Sequence, residues 1–331
     1  MTMRVRAKVL ALSGGVGGAK LAAGLDAILH PGDLAIVVNT GDDFEHLGLH
    51  VSPDIDSIVY ALSGRNDEQR GWGRAGETWQ FMGALRELAG DDWFNLGDRD
   101  LAMHVLRTQA LRQGETLSAF TTRVAAMLGI RSHVLPMTDA PVRTLVHTDE
   151  GTLAFQHYFV RRQCEPRVTG LDFDGLQGAS PAAGLLALLC DPALAAVVIC
   201  PSNPFLSIDP ILALPGVRDA LSACGAPIVA VSPIIGGAAV KGPTAKILGE
   251  LGRQVSPAAI AEHYGGLLDG MVIDDEDARL RAHIPVATCV TRTLMTRSEE
   301  RASLARSALD FAATLRETPA LRARRRQMSP S

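Results

Sequence analysis

Four aspartates carry the first chemical signal in this chain. Asp42, Asp43, Asp54 and Asp56 crowd into NTGDDFEHLGLHVSPDIDSIVYAL, from Asn39 to Leu62. Carboxylates packed this closely repel unless a positive charge neutralises them, and Mg2+ with a phosphate ligand is the usual answer. A solvated acidic loop is the plainer alternative, but Pro53, Ile55 and Val59 belong to packed, ordered structure. His46 and His50 in the same stretch read as satisfied loop histidines rather than ligands.

A second signal is LSGGVGGAKLAAGL, from Leu12 to Leu25. It fails the P-loop pattern, because Ala19 and Leu21 stand where Gly and Ser/Thr belong. It fails the dinucleotide fingerprint too, with Lys20 in place of the third glycine. Gly14, Gly15, Gly17 and Gly18 still let backbone approach an anion at a helix N-terminus, to which Lys20 adds a charge unless it faces solvent. The plainer reading is a tight strand-to-helix turn. In CPSNPFLSIDPIL, Ser202 and Asn203 sit between prolines, suited to recognising a base or sugar, with Ser207 as the expected N-cap of the next helix. In VSPIIGGAAVKGPTAKIL, Gly236, Gly237 and Lys241 precede a helix expected near Pro243 and form a second, less specific phosphate candidate. There is no G-x-S-x-G elbow and no H-E-x-x-H motif. Two anion-type loops and an aspartate cluster point to phosphoryl or nucleotidyl-type transfer.

The elements that must position these groups read as α/β. Short apolar strands such as KVLAL, DLAIVV, AAVVIC and APIVAV alternate with helical stretches, as in a Rossmann-like, doubly wound, mainly parallel sheet. The expected core is 1–100 with 180–315, in two pieces. Residues 101–179 read as a smaller α+β insertion: a helical part, then antiparallel strands in HVLPM, RTLVHT and TLAFQHYFV, with a turn at Asp149–Gly151. Residues 316–331 read as a basic, disordered tail. The helix after the first strand is expected from Gly18 to Leu29.

Composition narrows the class. The chain has 331 residues, 47% of them hydrophobic, and a net charge of -4. That balance gives no reason to expect nucleic acid or an anionic membrane as partner. No apolar run approaches the roughly 18 residues of a membrane span. The apolar part of the N-terminal segment stops at glycines, so a buried strand is expected there rather than a signal peptide. Five scattered cysteines lack metal-type spacing; Cys190 and Cys200 read as core filler, and the location expected is cytoplasmic.

Taken in order, LSGGVGGAKLAAGL, VVNTGDDFEHLGLHVSPDIDSIVYAL, GWGRAGETW, WFNLGDRDLAMHVLRT, FQHYFVR, PSNPFLSIDPIL and VSPIIGGAAVKGP resemble the 2-phospho-L-lactate transferases of coenzyme F420 biosynthesis. The resemblance reaches from the N-terminal strand to about Ala313. It implies Mg2+-dependent transfer of a phospho-organic-acid group from a guanosine diphosphate diester to the ribityl hydroxyl of the deazariboflavin Fo, releasing GMP. It also implies a homodimer. Asp42, Asp43, Asp54 and Asp56 would hold Mg2+ or steer the attacking hydroxyl, with Asp54 touching the acceptor. Trp72, Arg74, Trp79, Asp98 and Arg99 would line the Fo side, with His104 and Arg107 further along the same wall. Gly14, Gly15, Gly17, Gly18, Lys20, Asn39, Ser202, Asn203, Gly236, Gly237 and Lys241 would take the donor. His157, Arg297 and Ala238 depart from the usual family pattern, which leaves open whether phospholactate, phosphoenolpyruvate or phosphoglycerate is transferred. The alternative is a nucleotide-sugar-binding regulator of the same superfamily without turnover; GWGRAGETW and LGDRDLAMH favour the enzyme. An NAD-dependent oxidoreductase is weaker still, since Asn39 stands where that class needs an acid.

Overall fold

Seven short aliphatic runs become the strands of one sheet in a computed structural model, which describes residues 7–318 and residue 321. They are β1 (Val9–Ser13), β2 (Leu34–Val38), β3 (His133–Pro136), β4 (Ala196–Ile199), β5 (Ile228–Val231), β6 (Gly270–Ile273) and β7 (Ala287–Val290). Every pairing between them is parallel, in the order β7-β6-β5-β4-β1-β2-β3. β1, β2, β4, β5 and β6 are buried at every position, which is why they read as unbroken apolar runs. The order reverses between β1 and β4. Loops leaving the carboxyl ends of those two strands diverge there and open a crevice.

Alternate side chains serve opposite faces. Val9, Ala11, Ile36, Val38 and Val198 pack under α1 (Gly15–Ile28), α2 (Pro53–Leu62), α4 (Leu117–Met127) and α5 (Ser298–Leu315), with α3 (Asp98–Arg112) leading into α4. Leu10, Leu12, Val37 and Ile199 face the other layer, which includes the short helices after β4 and a three-stranded antiparallel sheet. α1 and α5 press together at Gly24, where a Cβ would lie 2.2 Å from the Arg301 carbonyl oxygen.

The fold is the expected α/β class, with local differences, one being that the strand expected in TLAFQHYFV ends at Ala154 and the chain is helical from Phe155 to Arg161. α1 begins at Gly15 rather than Gly18, so the glycine stretch is itself the first helical turn. His133–Pro136, expected in the antiparallel insertion, is instead the parallel edge partner of β2. A short apolar run carries no direction of its own; α3 and α4 decide it by carrying the chain back to the start of the sheet. The antiparallel sheet begins at Arg143: Arg143–Thr148 lies between Gly151–Ala154 and Val168–Asp174, and the turn falls at Asp149 and Glu150 as expected. Cys200 is buried as expected, but Cys190 is exposed. Of the basic tail expected over 316–331, all but 316–318 and 321 lies outside the described residues. Among the described residues, no helix is long and apolar enough to cross a membrane.

Candidate active site

Asp54, in the first turn of α2, is the point where the crevice loops meet. Its Oδ1 accepts the Gly15 N–H at 2.7 Å and its Oδ2 accepts the Asn39 amide at 3.0 Å. Asn39 is fully buried just beyond β2, where it also donates to the Leu206 carbonyl at 3.2 Å and accepts the Gly41 N–H at 2.8 Å. The Asn39 amide, expected to take the donor, is thus occupied in orienting Asp54. Ser202 ties the other side of the crevice, accepting the Gly14 N–H at 3.1 Å and donating to the Gly14 carbonyl at 2.8 Å. Burial pushes the Asp54 pKa up to about 6, against the opposing bonds from Asn39 and Gly15 and with help from the charge of Asp43.

Asp42 and Asp43 follow directly. Burial, and then the charge of Asp54, holds the Asp42 carboxyl well above the usual carboxylate range. Asp43 accepts the Ser52 hydroxyl at 2.8 Å and pairs with His50 Nε2 at 3.1 Å, both through Oδ2. The Oδ1 atoms of Asp42 and Asp43 are buried and have no partner among the described residues. Buried carboxylate oxygens without donors are costly, and a cation is the natural way to satisfy them.

Asp56 does not join this group. Two positions along a helix is about 200° around its axis, so Asp54 and Asp56 face opposite ways. Asp56 instead pairs with the buried Arg107 through both carboxylate oxygens. Arg107 also donates to the His50 carbonyl at 3.3 Å, and His104 lies between Asp56 and Asp100, 3.7 and 3.5 Å from their oxygens. Tyr60 donates to Asp100. Asp56, Asp100 and His104 bring their ligand atoms within 4.8 Å of one another. Arg107 already supplies positive charge there, so this cluster is a buried ion network separate from Asp42, Asp43 and Asp54, in which His104 Nε2 and Arg107 Nε have no hydrogen-bond partner among the described residues. Asp56, expected to share a metal with Asp42, Asp43 and Asp54, is thus grouped with Asp100 and His104 instead.

The glycine loops do a different job from the one expected. A Cβ at Gly14 would lie 2.5 Å from Asp54 Oδ2, at Gly17 2.5 Å from the Pro201 carbonyl oxygen, and at Gly18 2.3 Å from Ser13 Oγ. These glycines let the protein's own loops close on one another; of the four, only Gly15, at φ +63°, meets open space. Lys20 donates to the Met295 carbonyl at 2.8 Å, away from the glycine turn. Gly236 and Gly237 form the two-residue turn of the Ile234–Ile235/Ala238–Ala239 hairpin, both at positive φ. The Gly236 N–H is taken by the Asp277 carboxylate at 3.0 Å, which speaks against an anion there. Lys241 reaches instead to the Gly71 carbonyl, 3.0 Å away. Asn203, not Ser207, caps the segment after β4, accepting the Phe205 and Leu206 N–H groups. Its Nδ2 is buried and has no partner among the described residues.

Trp72 is exposed, meets Trp79 edge-on at 6.3 Å, and both rings lie under the Arg70 guanidinium. Arg74 shares a bridge with Asn66, and the Arg99 guanidinium lies beside Gly76. Asp98 accepts the Gln80 and Phe81 N–H groups at 3.1 Å and the Thr78 hydroxyl, which hold its pKa down. It thereby fixes the start of the Gln80–Glu87 helix. Sequence reasoning missed Ser52 and Gln156, whose amide donates to the Asp42 carbonyl at 3.2 Å. It also missed Trp93, which meets His46 and His157 edge-on. Only the position of Ser52 directly before the Pro-Asp helix start offered a signal.

The sheet order and the buried aspartates at the switch point define a Rossmann-like α/β protein with an acidic site. A family model described as 2-phospho-L-lactate transferase CofD matches residues 9–290. The chain is 40% identical over 319 residues to a phosphoenolpyruvate transferase of Kitasatospora aureofaciens, covering 93% of this chain and 99% of that protein. It is 38% identical over 304 residues to a 2-phospho-L-lactate transferase of Methanosarcina mazei, covering 90% and 98%. A solved structure of an upf0052 family protein, BH3568 of Bacillus halodurans, shares the fold, with a TM-score of 0.60 at 14% identity over 92% of this chain and 99% of that one. This chain belongs to the CofD family of phospho-transferases.

Proposed function

We propose that the protein transfers a phospho-organic-acid group from its guanosine diphosphate diester to the terminal ribityl hydroxyl of the deazariboflavin Fo, releasing GMP. The observation that carries this reading is Asp54. A buried carboxylate with an elevated pKa, aimed by Gly15 and Asn39, stands at the switch point of the sheet. The acceptor oxygen attacks the phosphorus that bears the organic acid, and the bond from that phosphorus to the oxygen of GMP breaks. Asp54 takes the hydroxyl proton as the new bond forms. The unpartnered oxygens of Asp42 and Asp43 fit Mg2+, which would neutralise charge on the diphosphate. The exposed Trp72 and the Arg99 guanidinium beside Gly76 would offer a flat face and a cation to the acceptor ring. Asn203 Nδ2, buried and unpartnered just beyond β4, would serve the donor, while Ser202 holds the Gly14 turn beside it.

The test is incubation of the purified protein with Fo, Mg2+ and each guanosine donor in turn, carrying phospholactate, phosphoenolpyruvate or 3-phosphoglycerate. The expected result is GMP together with a mass-shifted deazaflavin from one donor. No product from any of them refutes the reading.

A further inference from the structure

A cavity of about 330 Å³ lies apart from the crevice, between Ala23 and Ala27 of α1, Ala61 and Leu62 at the end of α2, and Ser298 and Arg301 at the start of α5. Ala27 is twelve residues beyond Gly15 along α1, roughly 18 Å at the α-helical rise. Its wall is mixed, with Ala23, Ala27, Ala61 and Leu62 on the apolar side and Asn66, Glu68, Ser298 and Arg301 on the polar side. Arg301 is 7% exposed, and its Nε is buried with no partner among the described residues.

The Arg301 guanidinium pairs at Nη2 with Glu68, 2.6 Å away, whose own side chain is 57% exposed. Arg301 is not the only cation here. The Lys20 amine has its pKa lowered by burial and then by the charges of Lys241 and Arg301. Lys20 and Lys241 each donate to a backbone carbonyl, and Glu300 is engaged by Thr296 and Arg297 at the α5 cap. Positive charge therefore gathers beside a cavity large enough for a small molecule, with one solvent-exposed carboxylate set against the arginine.

We propose that this cavity binds a small oxyanion, of phosphate or carboxylate type, through the Arg301 guanidinium, in competition with the Glu68 carboxylate. Planar guanidinium groups take both kinds of oxyanion in two-point contacts, and the free Nε supplies the donor that Glu68 leaves unused. Glu68 lies in the same loop as Trp72 and the Lys241-bound Gly71. An anion that displaces Glu68 therefore removes one polar tie of the loop that carries the exposed tryptophan, and the cavity is placed to modulate that loop from outside the crevice.

The probe is inorganic phosphate, read by hydrogen exchange at residues 61–68 and 298–302, with no transferase substrate present. Failure of this test thus leaves the transferase reading untouched. Phosphate is expected to slow exchange at 298–302, where it docks, and to speed it near Glu68, whose tie to Arg301 it breaks; protection is scored at 298–302. Glu68→Gln, which removes the competing charge, should tighten phosphate by about 2- to 5-fold. Arg301→Met should weaken it by about 10-fold or more. Ala27→Leu narrows the cavity while leaving Arg301 in place, and should also abolish protection if Arg301→Met proves too unstable to read. Acetate that competes with phosphate extends the site to carboxylates; acetate without effect restricts it to phosphate. Equal protection in the parent, Arg301→Met and Ala27→Leu, or none in both the parent and Glu68→Gln, overturns the proposal.

Discussion

Replacing Arg107 with methionine removes the cation that holds the floor of the site together. Arg107 is 1% exposed and donates to both oxygens of Asp56 and to the His50 carbonyl. Burial alone would lower its pKa, but the facing Asp56 carboxylate more than offsets this and raises it. Methionine fills much of the same volume, so the loss is electrostatic rather than a cavity. Asp56 would remain 5% exposed without its cation, with Asp100 close by. Breaking a buried pair on one side costs about 3–5 kcal/mol, whereas removing both charges is far cheaper. Arg107→Met alone is therefore expected to lose about 3–5 kcal/mol in urea denaturation at pH 7, followed by tryptophan fluorescence. The double variant Arg107→Met/Asp56→Asn should recover about 2 kcal/mol or more of that loss. Transfer activity should fall in the single variant, because the His50 backbone that Arg107 holds carries the imidazole paired with Asp43. If the two single-variant costs add within about 0.5 kcal/mol, the residues are not coupled and the network reading is wrong.

Asp54→Asn should lower turnover by about 10²- to 10⁴-fold, measured as GMP release. The same variant carries a pH signature. Because folding raises the Asp54 pKa from 3.8 to about 6, its contribution is intact below about pH 3.8 and is lost as pH climbs through about 6, for about 3 kcal/mol in all. In metal-free buffer the variant should therefore gain on the parent from pH 4 to pH 8, and parallel pH profiles would count against a buried, elevated Asp54. Gly17→Ala should cost about 1–3 kcal/mol by forcing a Cβ onto the Pro201 carbonyl, whereas Gly15→Ala meets no neighbour and pays only for its positive φ. Chelating Mg2+ should abolish transfer, and Asp42→Asn should raise the Mg2+ concentration needed for half-maximal rate; an unchanged requirement removes Asp42 from the metal site.

Much of this protein was legible from local chemistry. Aliphatic runs that end at Gly, Pro or Asn announced parallel strands, because a strand buried on both faces needs no polar alternation. The acidic stretch after β2 was recognisable as the reactive region, since its carboxylates sit beside residues that pack. Side-chain direction was not legible. Asp54 and Asp56 are near neighbours in sequence, yet one enters the crevice and the other a buried ion network. The glycines were visible, but not what presses on them.

The sequence by itself determined the α/β class and the stretches that border the site, because propensity, burial and turn chemistry act over a few residues. Only the tertiary structure decided the direction of the His133–Pro136 strand, the pairing of Asp56 with Arg107, and the use of Asn39 to aim Asp54. Each depends on groups far apart in the chain, and it is packing across the sheet that sets which of them meet.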